Sequence, residues 1–260
     1  MNTPPRRWGG DLLFLIENLI LKDFRIRYRN MSLGILWSLI NPLVMMGVLT
    51  FVFTRLIPTG NRPFYPLFIL CGMVPYNFFV GALLSGTTSV VDSAGLVKRV
   101  PVPREVVPVA SVLSNCLHLS IQVALLIVLA LFFHRTPTAP WLWLPVMWIL
   151  YIVFVCGLAL GASAINVYIR DTRYVVESFN LVLFWLVPIV YSFADISPKY
   201  GVIYSYNPVA AMVMAMRDIL TKGQPPALSL VRNMVFAAVF AMAAGLTIFR
   251  RLKPRFYEHI

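Results

Sequence analysis

Six long apolar runs, separated by short segments whose arginines and lysines fall mostly on alternate sides, dominate this 260-residue chain. Residues 33–57, 64–91, 109–133, 141–167, 175–193 and 228–248 each approach or exceed the roughly 20 residues that carry a helix across a ~30 Å hydrocarbon layer. With 59% apolar residues, the chain has no stretch of ordinary surface composition long enough for a separate soluble domain. The sequence therefore predicts an all-α integral membrane protein: one domain over 1–260, with six transmembrane helices inside 33–249.

The cations give the orientation. Arg6, Arg7, Lys22, Arg25, Arg27 and Arg29 precede the first run; Lys98, Arg99 and Arg104 lie in the second connection; Arg170 and Arg173 lie in the fourth; Arg250, Arg251, Lys253 and Arg255 follow the sixth. Only Arg55, Arg62, Arg135, Lys199, Arg217, Lys222 and Arg232 fall elsewhere. The positive-inside tendency then predicts both termini on the cytoplasmic side. A formal charge of +12 in a chain only 12% charged reads as juxtamembrane cations facing anionic headgroups, and no nucleic-acid partner is expected.

Punctuation within the runs adds detail. Over 11–29, Leu13, Ile16, Ile20 and Phe24 recur at helical spacing opposite Asp11, Asn18, Lys22, Arg25 and Arg29, so 1–32 is expected to hold an amphipathic helix in the cytoplasmic interface. Glu17 and Asn18 interrupt the apolar run and no A-x-A site follows, so this terminus is expected to be retained rather than cleaved as a signal. Pro42 frees a backbone carbonyl inside the first span and predicts a kink. In the second connection a short helix is expected to stop near Pro101, and Pro101, Pro103 and Pro108 stiffen the turn into span three. Such a rigid piece can transmit force, although a plain charged stop signal would look the same. Pro188 breaks a short fifth span. The stretch 192–227 is too long and apolar for a simple loop, and Asn207-Pro208 before 209–220 suggests a re-entrant half-helix, with Arg217 and Asp218 able to pair at its end. Residues 250–260 read as a cytoplasmic tail.

Several chemistries lose support. All ten carboxylates sit at span ends or outside them, which disfavours proton- or sodium-driven transport. Cys71, Cys116 and Cys156 lie inside spans without metal-ligand spacing, and read as packing residues. Asn115, His118 and Gln122 form the one polar cluster within a span, read as helix-to-helix hydrogen bonding rather than a relay. HExxH, GxSxG and Walker A patterns are absent, so no catalytic, metal or cofactor residues are assigned, and uphill transport would need a partner's energy.

The ordered motifs Arg27-Tyr28-Arg29, Leu33-Gly34, Leu36-Trp37 with Pro42, Val74-Pro75-Tyr76, Leu96-Val97-Lys98-Arg99, Pro103-Arg104-Glu105 with Pro108, Asn166-Val167, Arg170-Asp171, Pro188 with Tyr191, and Asn207-Pro208 resemble the permease subunit of ABC-2-type exporters of polysaccharides and polyol phosphates. Pro101-Val102 departs from the pattern, where a bulkier residue is expected before Pro103. The resemblance implies a homodimer bound to two copies of a separate ATPase subunit that carries ATP and Mg. It further implies a bacterial inner-membrane protein with a lipid-linked O-antigen, capsule or similar glycan as substrate. A drug or lipid exporter, or a non-transporting scaffold, are the alternatives.

On that reading Leu96, Val97, Lys98, Arg99, Arg104 and Glu105 are the candidate ATPase-coupling residues. Arg25, Arg27, Arg29, Arg170 and Arg173 are candidate contacts for the lipid phosphate, since guanidinium suits bidentate phosphate binding, though topology alone also explains them. Trp37, Phe51, Trp185 and Tyr191 are candidate channel residues, because aromatic faces let a sugar chain slide without holding it tightly. Trp185 and Tyr191 stand out because they flank Pro188.

Overall fold

Proline, glycine and the long apolar runs divide the chain into helices. The computed structural model describes residues 11–29, 32–56, 64–99, 103–192, 204 and 206–259, with only the backbone of Arg27, Arg99, Tyr257 and Glu258. Ten α-helices are described: α1 Leu12–Tyr28, α2 Trp37–Phe51, α3 Tyr65–Asp92, α4 Ala94–Arg99, α5 Val106–Phe132, α6 Trp143–Tyr168, α7 Thr172–Leu186, α8 Pro208–Arg217, α9 Leu228–Leu252 and α10 Phe256–His259. No strand occurs among the described residues.

Among the described residues five helical stretches are long and apolar enough to cross a membrane: Gly34–Leu56, Tyr65–Asp92, Val106–Phe132, Ala139–Tyr168 and Leu228–Arg255. The sixth expected crossing is shorter. Its helix, α7, has 15 residues, about 22 Å at the usual rise, and closes at Leu186 ahead of Pro188. Residues 187–190 then turn into the protein and are buried.

The helices α3 and α6 form the centre. Tyr151 and Phe79 are among the largest fully buried side chains, and Tyr151 donates its hydroxyl to the Pro75 carbonyl at 3.2 Å. Around this pair, α5 lies on α3, α9 runs along α6, and α2 and α7 lean on the outside of α3. The α6–α9 contact is the closest in the fold because both helices are stripped of side chains there. A Cβ at Gly157 would run into the backbone of Ala241 and Met242, and one at Gly245 into the Gly157 carbonyl. Lipid gives no hydrophobic drive to such a pair, so close backbone approach supplies the dispersion contacts that hold it.

The α1 helix starts where Asp11 caps it, accepting from the Leu13 N–H at 2.9 Å, and lies against α5. Ile16, Ile20 and Phe24 are half-buried as the stripe predicts, but Leu13 leaves it, 77% exposed, and Leu19 is the residue the bundle buries. The helix therefore packs on protein along one edge and keeps Leu12, Leu13, Phe14 and Ile26 exposed on the others. In α2 the helix continues through Pro42. The Ser38 carbonyl that Pro42 cannot serve accepts instead from the Gln122 amide of α5 at 3.4 Å, so a neighbouring helix repairs the break. The segment expected to re-enter is α8. Asn207 caps it through the N–H groups of Val209 and Ala210 at 3.0 and 3.4 Å, and residues 209–217 are all buried.

Gly157→Leu or Gly245→Leu should separate α6 from α9 and abolish monodisperse protein in detergent. Gly245→Ala should cost about 1–3 kcal/mol by overpacking. Gly161→Ala is the control: its Cβ would sit 3.6 Å from the Gly245 Cα, an ordinary contact, and thermal unfolding followed by size-exclusion chromatography should leave it at the parent midpoint.

Candidate functional site

On the basic side the second connection is a short, anchored structure. Val97 on α4 is 1% exposed and pins that helix to the bundle, Leu96 is half-buried, and Lys98 points outward. The Arg99 side chain and the turn 100–102, with the Pro101-Val102 departure, lie outside the described residues. The Pro103–Glu105 corner is closed by Val106 N–H to Pro103 and Val107 N–H to Arg104, at 3.1 and 3.2 Å. Its two charges turn inward. Arg104 is 9% exposed, donates to the Lys253 carbonyl at 2.9 Å and lies 6.0 Å from the Phe256 ring centre. Glu105 takes the Lys253 ammonium on both oxygens, at 2.8 and 2.9 Å.

The chain after α9 is thus part of this site, which the sequence reading left as a tail. Phe256 is fully buried against Phe249, centroids 5.3 Å apart, in a cluster with Val90, Leu160, Ala164 and Val167. From the fourth connection, Tyr168 donates to the Leu252 carbonyl at 2.7 Å and Arg170 to that of His259 at 3.4 Å. Both basic connections therefore end on the same short segment, 252–259. A buried aromatic seven residues beyond Phe249 was the available signal in a run otherwise read as an anchor.

The five arginines fall into two groups, one on α1 and one at the start of α7. Arg25 and Arg29 are exposed on α1, beside α5, and the Arg27 side chain lies outside the described residues. Arg170 reaches His259, and Arg173 pairs with Glu177 at 2.9 Å, one turn along α7. That hydrogen bond, and then the carboxylate's charge, raise the Arg173 pKa, so this exposed guanidinium stays charged at any working pH.

Three of the candidate channel residues sit on the thinly covered helices α2 and α7, and Tyr191 follows α7. Trp37 is 42%, Phe51 57% and Trp185 68% exposed. Tyr191 is half-buried and donates to the Trp185 carbonyl at 2.9 Å, with the Tyr204 hydroxyl 3.2 Å away. Phe193 lies outside the described residues. The broken chain between α7 and Tyr191 is held by a residue expected to do something else. Arg217 of α8 is 5% exposed and donates to the carbonyls of Ile189 at 2.6 Å, Tyr191 at 3.2 Å and Phe68 at 3.4 Å. Its guanidinium carbon lies 3.4 Å from the Phe68 ring centre. Asp218, its expected partner, pairs with Lys222 at 2.7 Å. Gly72 makes room: a Cβ there would lie 3.1 Å from the Ile189 Cα and 3.3 Å from Arg217 Nη2.

The polar cluster of α5 does bridge helices. Asn115 donates to Ser85 Oγ of α3 and to the Ser111 carbonyl, both at 2.8 Å. His118 Nδ1 meets the Tyr28 hydroxyl of α1, and Gln122 serves α2.

With this geometry in hand, comparison with known proteins is specific. A family model described as ABC-2 type transporter matches residues 15–221. The O-antigen export system permease protein RfbA of Klebsiella pneumoniae is 30% identical over 249 residues, covering 95% of this chain and 94% of that protein. A protein of the same description from Myxococcus xanthus is 25% identical over 95% of each chain. The polysialic acid transport protein KpsM of Escherichia coli is 22% identical over 80% of this chain and 81% of its own.

Two substitutions probe the site's construction. Arg217→Leu strands up to three carbonyls, each costing about 1–3 kcal/mol when left without a donor, and should abolish folded protein; Arg217→Lys, lacking the fork, should recover only part of the thermal stability. Lys253→Glu should free the tail at a cost of roughly 1 kcal/mol for a partly exposed pair, read as faster proteolysis after α9. Adding Glu105→Lys to it should restore the parent rate.

Proposed function

Because this chain belongs to the ABC-2 type transporter family, we propose that it is the membrane-spanning subunit of an ATP-driven exporter that carries a lipid-linked cell-surface polysaccharide across a bacterial inner membrane. The observation that carries this reading is the near full-length match to O-antigen export permeases, 95% of this chain against 94% of the relative. It is a permease rather than an enzyme; ATP and Mg belong to a separate ATPase subunit, two copies of which bind a homodimer of this chain.

In this mechanism Lys98 and the outward side of α4 meet the ATPase. A displacement there passes through the Pro103–Glu105 corner to Lys253, and so to α9 directly. The closely packed α6–α9 pair moves with it. Both termini face the cytoplasm, and α7 with residues 187–192 completes the sixth crossing. Two copies face each other across α2 and α7, whose open faces already carry Trp37, Phe51 and Trp185. A polymer passing between them meets aromatic faces that stack on its C–H surfaces without a deep well. Arg25, Arg27 and Arg29 at one entrance and Arg170 and Arg173 at another supply guanidinium for the carrier's phosphate. Arg217 keeps α8 and the broken chain together, closing the outer end.

The test is co-expression with a candidate ABC ATPase subunit, scored by surface glycan in cells and ATPase activity in vesicles. Lys98→Glu should lower export roughly tenfold, the effect of losing about 1.4 kcal/mol of contact, with membrane levels unchanged. Trp185→Ala should shorten or slow the exported chains while ATP hydrolysis persists. Full export by both variants removes the assigned roles, and absence of any co-purifying ATPase would favour a scaffold.

A further inference from the structure

Two amides inside the membrane-spanning helices have no work assigned to them. Asn41 stands on α2, one turn beyond Trp37, and Asn77 near the middle of α3, and among the described residues no hydrogen bond engages either side chain. Both line an open-mouthed cavity of about 370 Å³ bordered by α2, α3, α5 and the end of α1, with Asn41 exposed and Asn77 half-buried, within the range of about 300–1,000 Å³ usual for ligand sites. An amide without a partner is costly in a helix meant for lipid, so the cavity is built for something that hydrogen-bonds.

The lining narrows what that is. Asn115, Gln122, Trp37 and Phe78 complete most of the wall together with Tyr28 and His118, and among the described residues no carboxylate, lysine or arginine contributes to it. Those residues favour an uncharged, hydrogen-bonding ligand. Each amide offers a donor and an acceptor side by side, which matches a vicinal pair of hydroxyls, and the indole and phenyl rings offer flat faces to C–H groups. The wall is also fixed in place. Asn115 is tied to Ser85 and Ser111, Gln122 to Ser38, and His118 to Tyr28, so the cavity does not depend on a ligand for its shape.

We propose that this cavity is a carbohydrate subsite: a neutral pyranose ring docks between α2, α3 and α5, its hydroxyls on the amides of Asn41 and Asn77 and its C–H face on Trp37. The site borders the aromatic path between α2 and α7, sharing Trp37 with it, and lies where α1 ends and α2 begins. It rests on the glycan-export reading for its biological ligand, but not for its test.

Binding is measured directly, by saturation-transfer NMR on the permease–ATPase complex in lipid nanodiscs. The probes are methyl glycosides of glucose, galactose, mannose, rhamnose and N-acetylglucosamine, with phosphocholine as the headgroup control. At least one glycoside should receive saturation from the parent protein, and its apparent affinity should fall roughly fivefold in Asn77→Leu and in Asn41→Leu, the factor set by one lost hydrogen bond between uncharged groups. Asn77→Ser keeps a polar group too short to reach, folds where leucine does not, and should lose affinity similarly. Leu228→Ala, at an exposed position at the start of α9 outside this cavity, should leave the glycoside signal unchanged. No glycoside signal from the parent, equal signals from parent and Asn77→Ser, or a stronger Asn77-dependent response to phosphocholine would each overturn the subsite. Surface glycan is scored in parallel. A subsite that binds glycosides in a protein exporting no glycan would sink the export reading alone, whereas glycan export with an indifferent Asn77 would sink the subsite alone.

Discussion

In hydrocarbon a backbone carbonyl that loses its helical partner has no water to turn to, and this chain breaks its helices at the two elements that carry the candidate path. Pro42 takes the donor from Ser38, and Gln122 of another helix replaces it. Pro188 ends α7 and leaves a run of irregular backbone, and Arg217 of α8 spans it with one guanidinium. Everything at that end of the molecule follows from this second repair. Burying a guanidinium requires several acceptors at once, which the unwound carbonyls of Ile189 and Tyr191 and the helix-start carbonyl of Phe68 supply. Bringing them together requires a residue without a side chain at position 72. The half-helix α8, the broken α7 and the start of α3 are thereby one unit.

The opposite end is organised by a different economy. There water is available, and single exposed ion pairs would add little. What holds the basic connections is a buried aromatic, Phe256, around which Arg104 and Glu105 reach the backbone and the ammonium of Lys253. Two connections far apart in sequence are anchored to one segment at the end of the last span. This shared anchor joins the Pro103–Glu105 corner to α9, and the glycine contact joins α9 to α6.

The spans, their order and the amphipathic start were legible because length and apolarity act locally: a run such as 64–91 has few folds open to it in lipid. Short helix α4, the helix beginning at Asn207-Pro208 and the interruption at Pro188 were legible for the same reason, since proline acts within one turn. Arg217 was misjudged because sequence offered Asp218 next to it, and a neighbour in sequence lies on a different side of a helix. Lys253 and Phe256 were passed over because a basic run after a span has a sufficient local explanation as an anchor. Leu19 was missed because a hydrophobic stripe tells which residues leave water, not whether protein or lipid receives them.

Hydropathy and charge along the chain settled that it is helical and rich in membrane-length apolar helices, and its ordered short motifs settled the family to which it belongs. Which helices touch was settled only in three dimensions. Lipid tails are as apolar as leucine, so apolarity cannot rank one helix pair above another. The ranking comes from shape and from unsatisfied polar groups: Gly157 against Gly245, Arg217 against carbonyls up to 149 residues away, Glu105 against Lys253, and the amides of Asn41 and Asn77 brought to one cavity. Each of these depends on the relative rotation of two helices, a quantity that no single stretch of sequence contains.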